Sequence, residues 1–296
     1  MDRALVSGVS GPIGTALLPY LQSQGAQIVR LVRGPAKGPD QISWDPLKPV
    51  AAATVSGFDT VIHLAGESVL GRWNEARKKS MRDSRVLATQ NLAAALANAR
   101  VRPRVFICAS AIGFYGNRGD ETLTEASAGG SGYAADLARD WEIASKGAAD
   151  AGIRTVNLRI GLVLSARGGA LDKMVTPFKL GLGGNLGSGQ QWMSWIHVDD
   201  IVGAIHHALH TESMAGPVNL VAPNPVRNEE FTRALASVLR RPAFFQVPAF
   251  AARLAFGQMA EELLLGSERV QPVKLLATGY AFRFTDLRAA LEDLLG

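Results

Sequence analysis

The sequence has little cysteine and no long apolar segment. Its one cysteine, Cys108, excludes an internal disulfide and a thiolate metal cluster. No apolar run approaches the roughly 18 residues of a membrane span, and the first residues do not form a secretory signal. The net charge of +5, from 31 basic and 26 acidic residues, is too diffuse to indicate nucleic-acid binding. We therefore expect a cytoplasmic protein that contacts neither membrane nor nucleic acid.

Apolar residues make up 47% of the 296 residues, enough for a sizeable core. In the first half, short runs rich in Val, Ile and Leu alternate with segments of helical spacing, which predicts a doubly wound, Rossmann-type parallel sheet in an α/β fold. The predicted strands are Ala4–Gly8, Gln27–Arg33, Thr60–Gly66, Val105–Ser110, Arg154–Gly161 and, later, Val218–Val221. The predicted helices between them are Ile13–Gln24, Asn74–Ala99 and Tyr133–Ala151.

Prolines become frequent after Val221, and the remaining sequence has helical spacing with little strand signal. One helix is predicted over Asn228–Arg240, with Asn228 as its cap, and another over Asp286–Leu295. We expect two units, a Rossmann-type domain over 1–243 and a small, mostly helical C-terminal domain over 244–296. Because about fifty residues form a marginal core alone, the second unit should pack against the first.

Three glycines with the spacing Gly-x-x-Gly-x-x-Gly lie between the first predicted strand and helix. Glycines there permit a tight turn and let the backbone approach a pyrophosphate at the helix N-terminus. A purely structural turn is the alternative, but the position after the first strand favours nucleotide binding. The cofactor-binding residues predicted in this loop are Gly8, Ser10, Gly11, Pro12, Ile13 and Gly14.

The end of the second predicted strand distinguishes the two nicotinamide cofactors. NAD sites usually place Asp or Glu there to bind the ribose 2′-hydroxyl. Here no acidic residue occurs before Asp40, whereas Arg33 stands at the strand end, where a guanidinium can pair with a 2′-phosphate. NADP(H) is therefore favoured over NAD(H); an ordinary exposed loop arginine is the alternative.

Motifs along the whole chain are shared with one superfamily. They include Ile42-Ser-Trp44-Asp45-Pro46, His63-Leu64-Ala65-Gly66-Glu67, Ser84-Arg85, Gly113-Phe-Tyr115-Gly116, Asp140-Trp141-Glu142, Arg159-Ile-Gly161 and Trp195-Ile-His197-Val-Asp199-Asp200. On these motifs the chain resembles the atypical "epimerase family" branch of the extended short-chain dehydrogenases/reductases, whose members are labelled nucleoside-diphosphate-sugar epimerases or SulA-like proteins. The helical tail resembles that branch's small C-terminal domain.

The resemblance implies further cofactor contacts. Leu64, Ala65 and Gly66, with Glu67 after them, are expected beside the ribose and adenine of the cofactor. Arg85 ends a basic helical face beside the Ser84-Arg85 motif and is expected to contact the cofactor. Val163 is expected near the nicotinamide.

The usual catalytic pattern of the superfamily, Tyr-x-x-x-Lys, is absent from the sequence. Tyr133 has the expected place at the head of a helix, but Leu137 stands where the lysine should be, so the Tyr133 pKa is expected near the ordinary phenol value of about 10. Ser110 ends the predicted strand Val105–Ser110, although Ala111 occupies the usual serine position. Tyr133 and Ser110 are nevertheless two candidate catalytic residues.

His197 is the third candidate, as a proton donor near neutral pH, with a structural histidine as the alternative. It follows a glycine-rich stretch, Gly181–Gly189, that would suit a lid, and Asp199 is expected to cap the helix Asp200–Thr211. His206 and His210 have i, i+4 spacing without the glutamate of a zinc-protease helix, so no metal site is predicted.

Two functions remain open on the sequence alone. The first is an NADP(H)-dependent oxidoreductase or epimerase-like enzyme that acts on a small carbonyl or sugar-nucleotide substrate with a non-standard acid/base group. The second is a non-catalytic NADP(H)-binding redox sensor or protein-interaction scaffold, which the missing lysine favours. A homodimer through the long helices is one option that no sequence feature decides.

Overall fold

A computed structural model describes residues 3–296 of the chain. The strands are β1 (Arg3–Ser7), β2 (Gln27–Val32), β3 (Gln41–Ser43), β4 (Thr60–His63), β5 (Val105–Ala111), β6 (Thr122–Leu123), β7 (Arg154–Ile160), β8 (Leu162–Leu164), β9 (Gly184–Leu186), β10 (Trp192–Met193), β11 (Trp195–His197), β12 (Gly216–Leu220), β13 (Val226–Arg227), β14 (Phe245–Val247) and β15 (Arg269–Val270). The α-helices are α1 (Pro12–Ser23), α2 (Ala52–Val55), α3 (Glu75–Arg82), α4 (Ala88–Ala97), α5 (Tyr133–Asp150), α6 (Ala170–Lys179), α7 (Val198–His210), α8 (Asn228–Leu239), α9 (Ala249–Phe256), α10 (Val273–Ala277) and α11 (Leu287–Leu295). None of the helices in this described part combines the length and apolarity needed to cross a membrane.

Seven parallel strands form the central sheet in the order β12-β7-β5-β4-β1-β2-β3. One face packs on α1 and α7, which contribute Leu17, Leu21 and Ile205 to a buried cluster. The other face packs on α4 and α5, which contribute Leu96 and Trp141. The predicted doubly wound sheet is confirmed. The strand order reverses between β1 and β4, and ligands of such sheets bind at that point, beyond the carboxyl ends of the strands.

The predicted helix over Asn74–Ala99 contains an irregularity. Asn74 caps it, accepting a 2.8 Å hydrogen bond from Arg77 N. Between α3 and α4 the chain then forms a π-helical segment over Asp83–Leu87. Such bulges are frequent at functional sites, and this one holds the Ser84-Arg85 motif.

Two predicted helix caps are wrong. The helix expected after Asp199 begins at Val198, so its cap is His197, whose Nδ1 accepts a 3.1 Å hydrogen bond from Asp199 N. At α8 the cap is Arg227, whose N–H donates to Glu230 Oε2 (2.7 Å). Asn228, the expected cap, instead accepts a hydrogen bond from Leu186 N.

The segment after Val221 contains short strands that the sequence pattern does not predict. β13, β14 and β15 pair with β10, β9 and β6, which precede them in the chain. α11 packs against α8, and α8 packs against α6, in a second core that includes Phe178, Phe231, Leu287 and Leu291. The C-terminal residues therefore share a core with the rest of the chain, as expected from their number. The boundary between 243 and 244 stays a prediction.

Candidate functional site

The loop between β1 and α1 is shaped by backbone contacts that only glycine permits. Gly8 has φ +75°, and a Cβ there would lie 2.4 Å from the carbonyl carbon of Leu64. A Cβ on Gly14 would lie 2.5 Å from Gly8 O. At Gly11, the N-cap of α1, the nearest atom to a Cβ would be 3.6 Å away. The loop is thus packed tightly behind and open at Gly11, the form that a pyrophosphate at a helix N-terminus requires.

The backbone after β4 is held by the π-helical segment. Glu67 N donates to Ser84 Oγ (3.0 Å), and Arg85 Nη2 donates to Glu67 O (2.7 Å). Arg85 also lies directly behind Gly66, where a Cβ would meet its Cζ at 3.1 Å. Burial lowers the pKa of Arg85 to about 10. Together, Ser84 and Arg85 fix the loop over Leu64–Glu67 at the switch point of the sheet.

Arg33 lies just beyond the end of β2 and is exposed. In the described part of the chain it has no hydrogen-bond or ion-pair partner. The nearest following acid, Asp40, pairs instead with Arg30. The end of β2, where a ribose 2′ substituent would lie, therefore presents an unpaired guanidinium, and Asp40 is held by Arg30 lower on the same strand.

A buried polar network joins the ends of β5, β7 and β12. Glu142 of α5 accepts hydrogen bonds from Arg159 Nε (2.7 Å), Arg159 Nη2 (2.9 Å) and Ser110 Oγ (2.8 Å). Arg159 Nη1 donates to Tyr115 OH (2.9 Å), which donates to Asn219 Oδ1 (2.6 Å). A bidentate pair with its remaining polar atoms satisfied fixes the neighbouring backbone. The network therefore fixes the carboxyl ends of β5, β7 and β12 relative to one another.

Comparison with known proteins adds to this geometry. Residues 4–221 match the NAD dependent epimerase/dehydratase family, and residues 247–294 match a domain of unknown function, DUF1731. This chain belongs to the NAD dependent epimerase/dehydratase family. The family expected from the sequence motifs is confirmed.

Similar proteins align with this epimerase-family chain over nearly its full length. Epimerase family protein Mb2239 of Mycobacterium bovis is 40% identical over 97% of the chain and 95% of the relative. The crystal structure of human epimerase family protein SDR39U1 with NADPH has a TM-score of 0.91 and 37% identity, covering 99% of each chain. A nucleoside-diphosphate sugar epimerase from Corynebacterium glutamicum has a TM-score of 0.84 and 40% identity over 99% of this chain and 58% of that one.

In this epimerase-family chain, Tyr133 begins α5 and packs edge-on against Trp73, with ring centroids 5.3 Å apart. Its hydroxyl donates a 2.6 Å hydrogen bond to Lys78 O. Burial raises the Tyr133 pKa above the ordinary value expected from the sequence, and the positive charges of Arg85 and Arg82 only partly oppose this. Leu137 is buried beside Met81 in the same cluster. A catalytic role for Tyr133 stays a prediction.

The other two candidate catalytic residues also have partners within the fold. Ser110 Oγ donates to Glu142 in the buried network. His197 is buried, stacks on Phe284 with ring centroids 4.0 Å apart, and its Nε2 lies 3.4 Å from Asp293 Oδ2. Burial lowers the His197 pKa despite the nearby carboxylates. The structure places His197 at the joint between α7 and the C-terminal segment, and its catalytic role also stays a prediction.

Val163 lies in β8, which pairs with β11 through Ile196. The following loop approaches the glycine loop, since a Cβ on Gly169 would lie 3.4 Å from Pro12 Cγ. The predicted nicotinamide contact and the predicted pyrophosphate loop are thus brought to the same side of the sheet. Within residues 3–296, no three His, Cys, Asp or Glu side chains are grouped to hold a metal ion.

Sequence reasoning missed the polar residues that support this site. A signal was present for Arg159, because a charge inside an otherwise apolar run requires a buried partner. No comparable signal in the sequence indicated a role for Glu262. Its carboxylate accepts hydrogen bonds from Tyr133 N (3.1 Å) and Ala134 N (2.7 Å) across 129 and 128 residues of sequence.

Proposed function

We propose that this protein binds NADP(H) at the switch point of its sheet and transfers hydride to or from a small carbonyl or sugar-nucleotide substrate. The glycine loop, closed behind by Gly8 and Gly14 and open at Gly11, carries the proposal. The free guanidinium of Arg33 supports NADP(H) over NAD(H), because a guanidinium fork matches a phosphate. The similarity to human SDR39U1, crystallised with NADPH, supports the same cofactor.

Residues of three loops would each contact a different part of this cofactor. Ser10, Pro12 and Ile13 would flank the pyrophosphate beside the three glycines. Leu64, Ala65, Gly66 and Glu67 would line the ribose and adenine side, with Arg85 holding that loop from behind, and Val163 would face the nicotinamide. When bound, the cofactor supplies hydride chemistry, whereas the protein supplies orientation and proton transfer.

A titration of the protein's tryptophan fluorescence with NADPH and with NADH tests the cofactor. We expect tight NADPH and weak NADH binding, and Arg33→Ala should weaken NADPH at least roughly tenfold while leaving NADH unchanged. Arg100→Ala is the matched control, because Arg100 is exposed and precedes β5, at the opposite edge of the sheet. Equal affinity for both cofactors, or equal effects of the two variants, would contradict the role of Arg33.

A non-catalytic NADP(H) sensor or scaffold is the second candidate. It is favoured by Leu137 at the lysine position and by the Tyr133 hydroxyl, whose hydrogen bond goes to Lys78 O. Steady NADPH oxidation with a panel of carbonyls and sugar nucleotides, with a KM for NADPH raised by Arg33→Ala, would establish the enzyme. Tight NADPH binding without consumption across that panel would establish the sensor.

A further inference from the structure

One region of the molecular surface exposes large apolar side chains. It is formed by the connection from α6 to β9, by the end of the chain segment that leads through β14, and by the helix α9. Phe244 is 91% exposed, Leu254 76% and Phe250 70%. The apolar surface is defined here by the side chains that are more than half exposed in this region, namely Leu180, Leu182, Phe244, Phe245, Phe250 and Leu254.

Backbone contacts bring the pieces of the apolar surface together. β9 and β14 pair in parallel, with Phe245 opposite Gly184. The two leucines come directly before β9, on the same side of this pair of strands in the chain. A Cβ on Gly187, just after β9, would lie 3.7 Å from the Cβ of Ala249, the first residue of α9. The six side chains therefore belong to one continuous region.

The helix α9 is apolar all round, yet it lies on the surface. Arg253 is the one polar residue in its sequence Ala-Phe-Ala-Ala-Arg-Leu-Ala-Phe, and Ala252 is its one buried residue. Phe250 and Leu254 are four residues apart, so they share a face of the helix. A helix that is apolar on every side is normally buried. The exposed face of α9 is therefore suited to being covered by another body.

The exposed apolar area is large for a single chain. A phenylalanine side chain offers about 150–250 Å², so Phe244, Phe245 and Phe250 alone expose on the order of 400 Å². The largest apolar patch on a typical monomer measures about 300–600 Å² and is often functional. The three leucines extend the patch beyond the phenylalanines, which indicates an interaction site.

The charge around the apolar surface has one sign. The two stretches of chain that form it, 173–198 and 231–260, contain six Lys or Arg residues and no Asp or Glu. Lys179, Arg240 and Arg241 are exposed, and none of them has an ion-pair partner within residues 3–296. Exposed Phe and Leu bordered by Lys and Arg are typical of segments that lie on anionic membrane surfaces.

A bilayer fits this surface better than a protein partner does. A second copy of the chain, bound about a twofold axis, would bring together two surfaces of the same positive charge, and like charges across an interface repel. A folded protein of another kind needs a preformed pocket for each projecting side chain, such as Phe244. A bilayer needs no such pockets, because lipid chains rearrange around whatever enters them.

We propose that the apolar surface, with Lys179, Arg240 and Arg241 at its border, binds the surface of a membrane that contains anionic lipids. The Phe and Leu side chains enter the boundary between head groups and acyl chains, and the three cations lie at the level of the lipid phosphates. The expectation that the chain contacts no membrane depended on the lack of a spanning segment, and a surface contact requires none.

Vesicle flotation of the full-length protein tests the proposal. We expect the protein to float with phosphatidylcholine vesicles that contain one third phosphatidylglycerol and to remain behind with pure phosphatidylcholine. Phe244→Ser should weaken binding roughly tenfold or more, because it removes a phenyl group from the acyl boundary. Arg240→Gln combined with Arg241→Gln should also weaken it roughly tenfold or more, because each basic residue near an anionic surface adds to the attraction.

Two exposed residues before β5, outside the apolar surface, provide matched controls. Val101→Ser and Arg100→Gln should float like the wild type, since Val101 is an exposed apolar residue and Arg100 an exposed cation. Phe244→Ser should retain the wild-type urea midpoint, because its side chain is almost fully exposed. It should also retain the wild-type affinity for NADPH, so the result does not depend on the proposed function.

A fluorescent probe at residue 244 separates insertion from electrostatic adsorption. The native Cys108 is buried, so Phe244→Cys can be labelled selectively with an environment-sensitive nitrobenzoxadiazole dye. Anionic vesicles should shift the emission of this dye to the blue, and lipids with spin-labelled acyl chains should quench it. The same dye on Val101→Cys should show neither effect.

Three results would overturn the proposal: equal flotation with the two kinds of vesicle, equal effects of Phe244→Ser and Val101→Ser, or an unchanged emission at residue 244. Analytical ultracentrifugation adds a fourth. A dimer that Phe244→Ser abolishes, in protein that does not float, would make the apolar surface an interface between two copies of the chain.

Discussion

The three glycines of the loop after β1 differ in what a methyl group would meet. At Gly8 and Gly14 it would overlap backbone atoms of Leu64 and Gly8. At Gly11 the backbone is extended, with φ −79° and ψ 167°, and alanine fits without strain. The fold therefore requires glycine at the first two positions, whereas it would accept alanine at the third.

Gly11→Ala should separate binding from stability. We expect a free energy of unfolding within about 0.5 kcal/mol of the wild type and at least roughly tenfold weaker NADPH binding, because the methyl would stand against the pyrophosphate. Gly14→Ala should instead destabilise the protein by about 1–3 kcal/mol. Urea unfolding and fluorescence titration measure both. Unchanged NADPH affinity in Gly11→Ala would show that the loop is only a turn.

The burial of His63 predicts that the free energy of unfolding depends on pH. His63 is fully buried at the end of β4, its Nδ1 lies 2.6 Å from Ser7 Oγ, and burial lowers its pKa to about 4 from 6.5. Between these values the unfolded chain binds a proton that the native state does not. The contribution of His63 to the free energy of unfolding is therefore complete above pH 6.5. It falls by about 3 kcal/mol as the pH drops to 4.

Urea unfolding between pH 4 and 7 checks this dependence. His63→Asn should flatten the decline in stability toward acid, because its side chain does not titrate. His207→Gln is the control and should retain the wild-type slope. The same slope in His63→Asn and the wild type would refute the assignment.

Among the elements, α5 depends on a distant part of the chain for its N-terminus. Its cap residue, Gly132, has φ +107° and offers no side chain. Glu262 supplies the acceptor instead, with one carboxylate oxygen on each of the first two N–H groups of the helix. Opposite charge at a helix N-terminus adds to these two bonds.

Removing this carboxylate should destabilise the whole chain. We expect Glu262→Ala to lower the free energy of unfolding by about 1–2 kcal/mol. Glu261→Ala, which removes an exposed pair with Arg253, should cost less than about 0.5 kcal/mol. The urea midpoints of the two variants measure the difference, and equal losses would mean that the cap contributes nothing.

The sequence predicted helices and strands correctly where a buried element produces a long run of apolar residues. β1, β4 and β5 are covered on both faces and are therefore continuous apolar runs. β13 and β15 have two residues each, too few for any periodicity, and their pairing depends on tertiary contacts. The α7 cap was misplaced by two residues because several residues around its start have side chains suited to capping.

At the scale of the whole molecule, residues 244–296 complete a core rather than form one. Phe284, Leu287 and Leu291 are buried against Phe178 and Phe231, which belong to α6 and α8. The length of the tail, about fifty residues, predicted that it would pack against the first domain. A single sequence carries no information on which distant residues pair, so the contacts of Glu262 with the N-terminus of α5 and of Glu268 with Ser194 were not predictable.

A chain ending at residue 243 should therefore lose cooperative unfolding and NADPH binding, because it exposes this core. Leu291→Ala should give an intermediate result, a folded protein destabilised by about 2–5 kcal/mol. Calorimetry and fluorescence titration measure both. A sharp thermal transition in the shortened chain would show that 1–243 folds alone.

The pairing of β15 with β6 also has a consequence for biosynthesis. Glu125 accepts a hydrogen bond from Lys274 N, 149 residues later. At roughly 5–20 residues per second, the ribosome needs roughly 7–30 s to make the chain between them. Throughout that interval the nascent protein carries a strand edge and a helix end whose partners do not yet exist. The native contacts of β6 therefore cannot all form until the C-terminal residues have been made.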